Sequence, residues 1–251
     1  MMDKLLTDHK EAMRAVLDDP DNLEYVSPDI DGYEEIVFEA INYNPRSVQF
    51  ASEEIRNNPE IMEAVIEQFG DAIEFLGESL LNDPNSYHLK LMAVRQWGGA
   101  LGCLPESDKN DEDLVLEALY GSEDDIDPSS VFGYMGNELK ANKEFVMEHF
   151  LRPPHEEEFF DIGIIRLLPE SLQNDSEVML SAVKAHASCL RVMQEKWRND
   201  KNIVMVAIGQ DGDLLEFVSD ELKDDIQVVE EAVKTSADAI KFASDRVQSL
   251  L

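Results

Sequence analysis

The chain has 251 residues, 43% of them apolar, which suffices for one large core or one extended array of repeats. Its 54 acidic and 21 basic residues give a formal net charge of −33, so no basic patch is available to bind nucleic acid or an anionic membrane directly. No run of about 18 uncharged apolar residues occurs, and the first residues lack the apolar stretch of a secretory signal. We therefore expect a folded protein of the cytoplasm.

From the N-terminus onward, one apolar pattern recurs at intervals of about 25 residues. A pair of apolar residues precedes an alanine–apolar pair by four positions, which places all of them on one face of a helix. With that alanine as an anchor, the chain contains nine units, spaced by 25, 24, 29, 25, 31, 33, 25 and 25 residues. The anchors are Ala15, Ala40, Ala64, Ala93, Ala118, His149, Ala182, Ala207 and Ala232.

Each unit predicts two short helices. The first carries the anchor, whose small side chain lets neighbouring helices approach closely. The second carries a large apolar residue about ten positions later, as at Tyr25, Phe50 and Phe217, and a Ser–acid or Gly–acid step ends it, as at Ser219-Asp220. A unit of this length cannot bury its own apolar face, whereas stacked units can. We predict an all-α fold: a right-handed or irregular α-solenoid of about nine two-helix repeats, forming a single domain over residues 1–251.

The repeated residues also resemble a known family. The pattern is acid-x-x-apolar-apolar-x-x-Ala-apolar, followed by apolar-x-Phe-Ala/Val-Ser-acid-x-apolar-x-x-Asp. It resembles the repeat family called domain of unknown function 4116, best over residues 175–251 and 31–82. The resemblance implies a helical repeat, and it implies no activity and no site residues.

Two departures from the period predict the candidate binding site. The chain gains six residues between Ala118 and His149 and eight in the next interval, which gives acidic insertions near 120–136 and 151–163. Insertions in a repeat array emerge as loops on one edge, where they either serve as tolerated surface loops or bind a partner. His149, in place of a small anchor, indicates altered helix packing at the same point. The predicted partner-binding residues are Glu123, Asp124, Asp125, Asp127, Glu156, Glu157, Glu158, Phe159 and Phe160.

Motifs of catalysis and of cofactor or metal binding are missing from the sequence. It has no phosphate loop, no GxGxxG after a strand, no GxSxG, no HExxH and no paired-cysteine zinc pattern. Residues 27–38 resemble half a calcium loop, but Phe38 occupies the twelfth position, where a bidentate glutamate is required. Cys103 and Cys189 are too few for a disulfide framework and are expected to be packing residues. We expect a protein that is not an enzyme and holds no cofactor or metal.

The remaining feature is the arrangement of acids. Counted in windows of fifty residues, the acidic excess is spread along the whole chain and is largest in residues 101–150. Equivalent positions align when repeats stack, so we expect ribbons of carboxylates along the array. With helices packed 8 to 10 Å apart, nine units span about 90 Å, or roughly one net charge per 3 Å. Duplex DNA carries about one charge per 1.7 Å of its axis.

Three functions fit these observations. The first is a non-catalytic protein that binds a basic partner surface; its most specific form imitates nucleic acid and so inhibits or sequesters a DNA- or RNA-binding protein. The second is a general interaction scaffold or effector module whose acidity serves solubility. The third is a protein adapted to a salty cytoplasm. Salt distinguishes them, because it should abolish binding in the first, change it little in the second and be required for folding in the third. The identity of the partner and the oligomeric state stay open.

Overall fold

The computed structural model describes residues 5–124, 126–151 and 161–251. These residues form α-helices, 3-10 helices, one π-helical turn and loops, with an isolated backbone bridge between Leu6 and Val26 and no β-strand. The prediction of an all-α fold is confirmed. The chain divides into two compact units, unit 1 (Met1–Ile126) and unit 2 (Asp127–Leu251). The single domain expected over residues 1–251 stays a prediction.

Unit 1 contains eight α-helices in its described residues. They are α1 (His9–Asp18), α2 (Tyr33–Tyr43), α3 (Glu53–Arg56), α4 (Pro59–Gln68), α5 (Glu78–Leu81), α6 (Tyr87–Gln96), α7 (Glu106–Lys109) and α8 (Glu112–Leu116). Between them lie 3-10 helices at Pro20–Tyr25, Pro45–Phe50, Gly70–Phe75, Pro84–Ser86 and Gly98–Cys103. A π-helical turn, Glu117–Gly121, extends α8.

Unit 2 contains eleven α-helices in its described residues. They are α9 (Pro128–Tyr134), α10 (Asn137–Lys140), α11 (Lys143–His149), α12 (Ile164–Leu167), α13 (Glu170–Gln173), α14 (Ser176–Ala185), α15 (Glu195–Arg198), α16 (Lys201–Gln210), α17 (Asp220–Lys223), α18 (Ile226–Thr235) and α19 (Asp245–Gln248). Three 3-10 helices, Ala187–Arg191, Gly212–Phe217 and Ala237–Phe242, connect the later ones.

A regular repeat has three helical segments, so the prediction of two helices per repeat was wrong. In the repeat that begins with α16, a ten-residue helix is followed by the 3-10 helix Gly212–Phe217 and then by the one-turn helix α17. The Ser219-Asp220 step begins α17: the Ser219 hydroxyl accepts a hydrogen bond from the backbone N–H of Leu222. Asp220 lies in the first turn, where a carboxylate is favourable to the helix dipole. The step read as a stop signal is an N-cap.

The long helices begin at capping side chains that recur in register. Asp200 is typical, since its Oδ1 accepts hydrogen bonds from the backbone N–H groups of Asn202 and Ile203. Such a cap satisfies amides that have no partner within the helix, and its loss costs about 1 kcal/mol. Among the described residues, seven of the helices that begin a repeat have an Asp or Asn side-chain cap: Asp8, Asn58, Asp111, Asn142, Asp175, Asp200 and Asp225.

The buried face follows the predicted pattern in α2, α14, α16 and α18, whereas in α1 only Ala12 and Val16 are buried and α4 requires a correction of the anchor. In α2 the face consists of Ile36, Val37, Ala40 and Ile41. In α4 it consists of Ile61, Met62, Val65 and Ile66, whereas Ala64 is exposed. The anchor of the third repeat is therefore Val65, because burial is decided by the helix face and not by the size of the residue. The spacing on either side of it becomes 25 and 28 residues.

Like segments of several successive repeats lie side by side within each unit. In unit 2, α14 contacts α16 and α16 contacts α18; in unit 1, α1 contacts α2, α4 contacts α6 and α6 contacts α8. The one-turn helices are also joined through the backbone. Ser219 N–H donates to the carbonyl of Arg198 at 3.0 Å, and Ser244 N–H donates to that of Lys223 at 3.1 Å. In unit 1, Gly77 N–H makes the same bond to Arg56, at 2.8 Å.

Candidate partner-binding surface

The described part of the first predicted insertion contains three of the predicted site acids, Glu123, Asp124 and Asp127. Two of them, Asp124 and Asp127, form hydrogen bonds that stabilise the fold. Asp124 Oδ1 accepts hydrogen bonds from the backbone N–H of Gly98, at 2.9 Å, and from the Ser122 hydroxyl. Asp127 caps α9, and the hydroxyls of Ser129 and Ser130 donate to it, which lowers the pKa of its carboxyl group. Glu123 is exposed, with its backbone N–H bonded to the Arg95 carbonyl.

The remaining predicted site residues lie outside the described residues. They are Asp125 in the first insertion and Glu156, Glu157, Glu158, Phe159 and Phe160 in the second. Glu123 and Asp124 adjoin in unit 1, and Asp127 begins unit 2. That the two insertions form a binding site remains a prediction.

Many other carboxylates in unit 2 have a structural role as well. The ammonium group of Lys143 lies 2.8 Å from Asp175, and that of Lys201 lies 2.6 Å from Asp225, so each lysine reaches the capping aspartate of the next repeat. These lysines lower the pKa of both carboxyl groups. Arg246 and Ser244 lower the pKa of Asp224 in the same way. These acids stabilise helix ends and repeat contacts, and they are not free to bind a partner.

The outward sides of α2 and α4 carry a different kind of acidic residue. No lysine or arginine among the described residues forms an ion pair with any of them; their near neighbours are His9, 3.8 Å from Glu35, and His88, 4.0 Å from Glu63. The stretch 33–83 has 12 acids and 2 bases in total. We call this set the α2–α4 face; its acids are Glu34, Glu35, Glu39, Glu60, Glu63 and Glu67.

Two aromatic side chains stand among these acids. Phe38 is 40% exposed and Tyr43 is 65% exposed, both on α2. Phe38 lies two positions before the anchor Ala40. The residues at the same position of two later repeats, Leu91 and Leu116, are half-buried, so Phe38 is more exposed than its equivalents. Exposed aromatic residues within a charged rim are typical of binding surfaces, because they supply contact area at the point where charges steer the partner.

A buried ion pair in unit 1 was missed by the sequence analysis. Lys90 Nζ lies 2.7 Å from Asp108 Oδ2, and the two side chains are only 7% and 17% exposed. In the repeat of α16 the equivalent positions hold Val204 and Leu222, both in the core. An alignment of the nine repeats would have shown Lys90 and Asp108 at two positions where other repeats have apolar residues.

A tyrosine completes this polar part of unit 1. The Tyr87 hydroxyl donates to Asp111 Oδ1 at 2.8 Å, and Asp111 also caps α8. Burial and this hydrogen bond raise the pKa of the Tyr87 phenol, so it stays protonated and donates at neutral pH. Tyr87 thus joins two repeats at the position that Lys143 and Lys201 occupy in unit 2.

The two cysteines and the clusters of acidic residues are the described groups that could react or bind a metal. Cys189 is buried, and burial raises the pKa of its thiol to about 12; burial also raises the pKa of the Cys103 thiol. Both thiols are therefore weak nucleophiles at neutral pH. No group of three or more His, Cys, Asp or Glu in the described ranges is placed to hold a metal ion.

A cleft of about 640 Å³ lies between α15 and α17, with Arg198, Phe217 and Ser219 in its lining.

The fold and the surface define a helical repeat protein with an acidic outer face. The model of the family described as domain of unknown function (DUF4116) matches residues 33–83, 176–223 and 200–248. The resemblance inferred from the repeated residues is thereby confirmed over these segments. No curated protein and no solved structure shows significant similarity to the chain. Within the described residues, no helix is long and apolar enough to cross a membrane.

Proposed function

We propose that the chain is a non-catalytic protein that binds a basic partner surface, and that the α2–α4 face is its principal contact. The observation that carries this proposal is that Glu34, Glu35, Glu60, Glu63 and Glu67 are exposed on α2 and α4 without lysine or arginine partners, together with the exposed rings of Phe38 and Tyr43 on α2. A basic amphipathic segment would pair its cations with these glutamates and cover the two rings. Such complementarity accelerates association and selects the partner.

The repeats are proposed to stack as an α-solenoid within each unit. Support comes from the contacts between like helices of successive repeats and from the backbone bonds between successive one-turn helices. This arrangement would align the glutamates of α2 and α4 in one strip. Imitation of a nucleic-acid backbone is the most specific form of this function, and its expected partner is a protein whose own basic surface binds DNA or RNA.

A general interaction scaffold is the second candidate, and unit 2 favours it. There the aspartates Asp175, Asp224 and Asp225 are engaged in caps and ion pairs, so part of the acidity serves the fold. Under this alternative, partners would bind through apolar contacts and salt would change their affinity little.

The test compares two variants that lose the same charge. Glu34, Glu35, Glu60, Glu63 and Glu67 are changed to Gln in one variant; Glu144, Glu148, Glu170, Glu195 and Glu216, all exposed in unit 2, are changed to Gln in the control. The probe is a 20-residue amphipathic peptide with lysines on one face, measured by calorimetry. Exposed ion pairs contribute about 0.2–1 kcal/mol each, so the first variant should lose about tenfold in affinity or more.

The control variant should keep most of its affinity, and the salt dependence of binding should fall only in the first variant. Equal losses in both would mean diffuse electrostatics, and no loss in either would favour the scaffold. A third variant with Glu123, Glu156, Glu157 and Glu158 changed to Gln tests the insertions. A larger loss there than on the α2–α4 face would move the site to the insertions.

A further inference from the structure

The helix α16 differs from the other long helices because its outward side carries the apolar residues Met205 and Val206 and no charged residue between the exposed polar residues Asn202 and Gln210. No charged residue occurs from Asn202 to Gln210, although 30% of the chain is charged. Opposite its buried face, Met205 and Val206 are half-buried and Gly209 is exposed. An amphipathic helix at a surface normally places polar residues there. This side of α16 is therefore suited to contact another apolar surface.

No contact among the described residues requires a glycine at position 209. A Cβ atom at this position would meet only Glu231 Oε1, at 3.9 Å, which is an ordinary contact. At Gly212, by contrast, a Cβ atom would overlap the carbonyl oxygen of Ala232. Glycine is a poor helix former, so its presence inside α16 weakens the helix without serving its own packing. It leaves a depression one turn after Met205.

The helices on either side of α16 run parallel to it. Near their N-termini, Lys201 Nζ of α16 lies 2.6 Å from Asp225, which caps α18. Near their C-termini, Thr235 Oγ1 donates to the Ile208 carbonyl at 3.0 Å, and Gln210 Nε2 donates to the Val183 carbonyl of α14 at 3.0 Å. The three helices lie side by side with α16 in the centre.

The charges beside α16 have a definite order along these helices. On α14 an exposed acid, Glu177, precedes an exposed lysine, Lys184; on α18, Glu230 precedes Lys234. Two of these groups already have partners, since Lys143 pairs with Glu177 at 2.7 Å and Lys234 with Glu231 at 2.6 Å. Both flanks thus carry negative charge nearer the N-terminus and positive charge nearer the C-terminus.

We propose that a second copy of this chain docks on the apolar side of α16 in an antiparallel, two-fold arrangement. A two-fold axis across the middle of α16 places Met205 of each copy over the Gly209 depression of the other. It also places α14 against α14 and α18 against α18, with their directions reversed. Glu230 then faces Lys234 of the second copy, and Glu177 lies within about one helical turn of its Lys184. This surface is complementary to itself, as a two-fold interface requires.

Salt gives this dimer a signature of its own. Two chains of charge −33 repel each other, so salt that screens the repulsion should strengthen the dimer. The same salt should weaken the binding of a basic peptide to the α2–α4 face. The two proposals therefore predict opposite responses, and either can fail while the other stands.

The experiment is sedimentation equilibrium of the full chain between about 0.05 and about 0.5 M salt, a range in which the Debye length falls severalfold. We expect a monomer–dimer equilibrium that shifts to dimer as salt rises. Met205→Glu should weaken the dimer about tenfold or more, because it buries a carboxylate at the centre of the interface. Gly209→Leu should weaken it similarly by filling the depression, and circular dichroism should show that both variants keep their helices.

Charge exchange tests the antiparallel arrangement. Glu230→Lys places two lysines opposite each other and should weaken the dimer about fivefold, whereas the double variant Glu230→Lys, Lys234→Glu restores opposite charges and should recover most of the loss. A monomer at every concentration and salt overturns the proposal. So does a dimer that is insensitive to Met205→Glu, or a double variant weaker than the single one.

Discussion

The two units use the same repeat but balance its charge differently. Unit 1 has 30 acidic and 8 basic residues, a net charge of −22, whereas unit 2 has 24 and 13, a net charge of −11. Carboxylates cap long helices in both units, so this demand of the fold does not explain the difference. What separates the units is the supply of cations.

Equivalent positions show where the cations are used. Lys143 and Lys201, each in the first turn of a long helix, bond to the capping aspartate of the next repeat in unit 2. In unit 1 the same position holds Tyr87, a neutral donor, and Glu34, an exposed acid. Unit 2 therefore pairs capping aspartates with lysines, whereas unit 1 has fewer cations for its acids and leaves those of the α2–α4 face without lysine or arginine partners. We propose that a binding surface is marked by charge that the fold leaves unpaired and not by charge alone.

The largest expected effect concerns the buried pair that sets unit 1 apart. Lys90→Met leaves the Asp108 carboxylate in the core without its partner, and urea unfolding should show a loss of about 3–5 kcal/mol. The double variant Lys90→Met, Asp108→Leu gives this repeat the apolar pair of its neighbours. Its stability should equal the wild type or exceed it by about 1–4 kcal/mol. A double variant as unstable as the single one would mean that the pair does more than fill the core.

A smaller effect compares the bonds between repeats. Tyr87→Phe removes a half-buried hydrogen bond to a carboxylate and should cost about 1.5 kcal/mol or more. Lys201→Met removes an ion pair in which the lysine side chain is 42% exposed, and should cost about 0.2–1 kcal/mol. Both values come from urea unfolding of the full chain. Equal costs would contradict the view that unit 1 relies on the more buried contact.

The smallest effect is a difference in acid sensitivity. Folding lowers the pKa of Asp127, Asp175, Asp224 and Asp225, all in unit 2. Their contribution to stability is complete at neutral pH. It is lost as the pH falls below the ordinary aspartate value of about 3.9 and through the lowered pKa of the folded state. Hydrogen exchange between pH 6 and pH 3 should show amide protection falling first at the caps of α9, α14 and α18. Earlier loss at the caps of unit 1 would reverse the comparison.

The sequence predicted the repeats well because a helix face leaves a regular apolar pattern. It failed at two kinds of detail. The Ser219-Asp220 step follows the 3-10 helix Gly212–Phe217 and begins α17. Residue type alone does not show which of the two helices the step belongs to, so the N-cap role of Ser219 is visible only from its hydrogen bond. The repeat pattern predicts Ala64 as the anchor, whereas the face of α4 places Val65 in the core.

The candidate surface was harder to predict than the fold. Counting charge in windows of fifty residues hid the contrast between the units, because the windows cross their boundary at Ile126. The sequence also does not state which acids are paired: Asp124 accepts two hydrogen bonds within the chain, whereas Glu60 forms no ion pair within the described residues. That distinction depends on distances between repeats, which the order of residues along the chain does not contain.

The hydrogen bonds between successive one-turn helices have a consequence for how such a chain can evolve. Each joins a backbone amide, as at Ser219 or Ser244, to a backbone carbonyl of the preceding repeat. A substitution to any residue except proline keeps both atoms, so side chains can diverge while the repeats stay in register. Duplication or loss of one whole repeat would rejoin the same amide to an equivalent carbonyl. Recombination can thus change the number of repeats without losing the backbone hydrogen bond between successive one-turn helices. The surface residues of each repeat can also change independently of those in the other repeats.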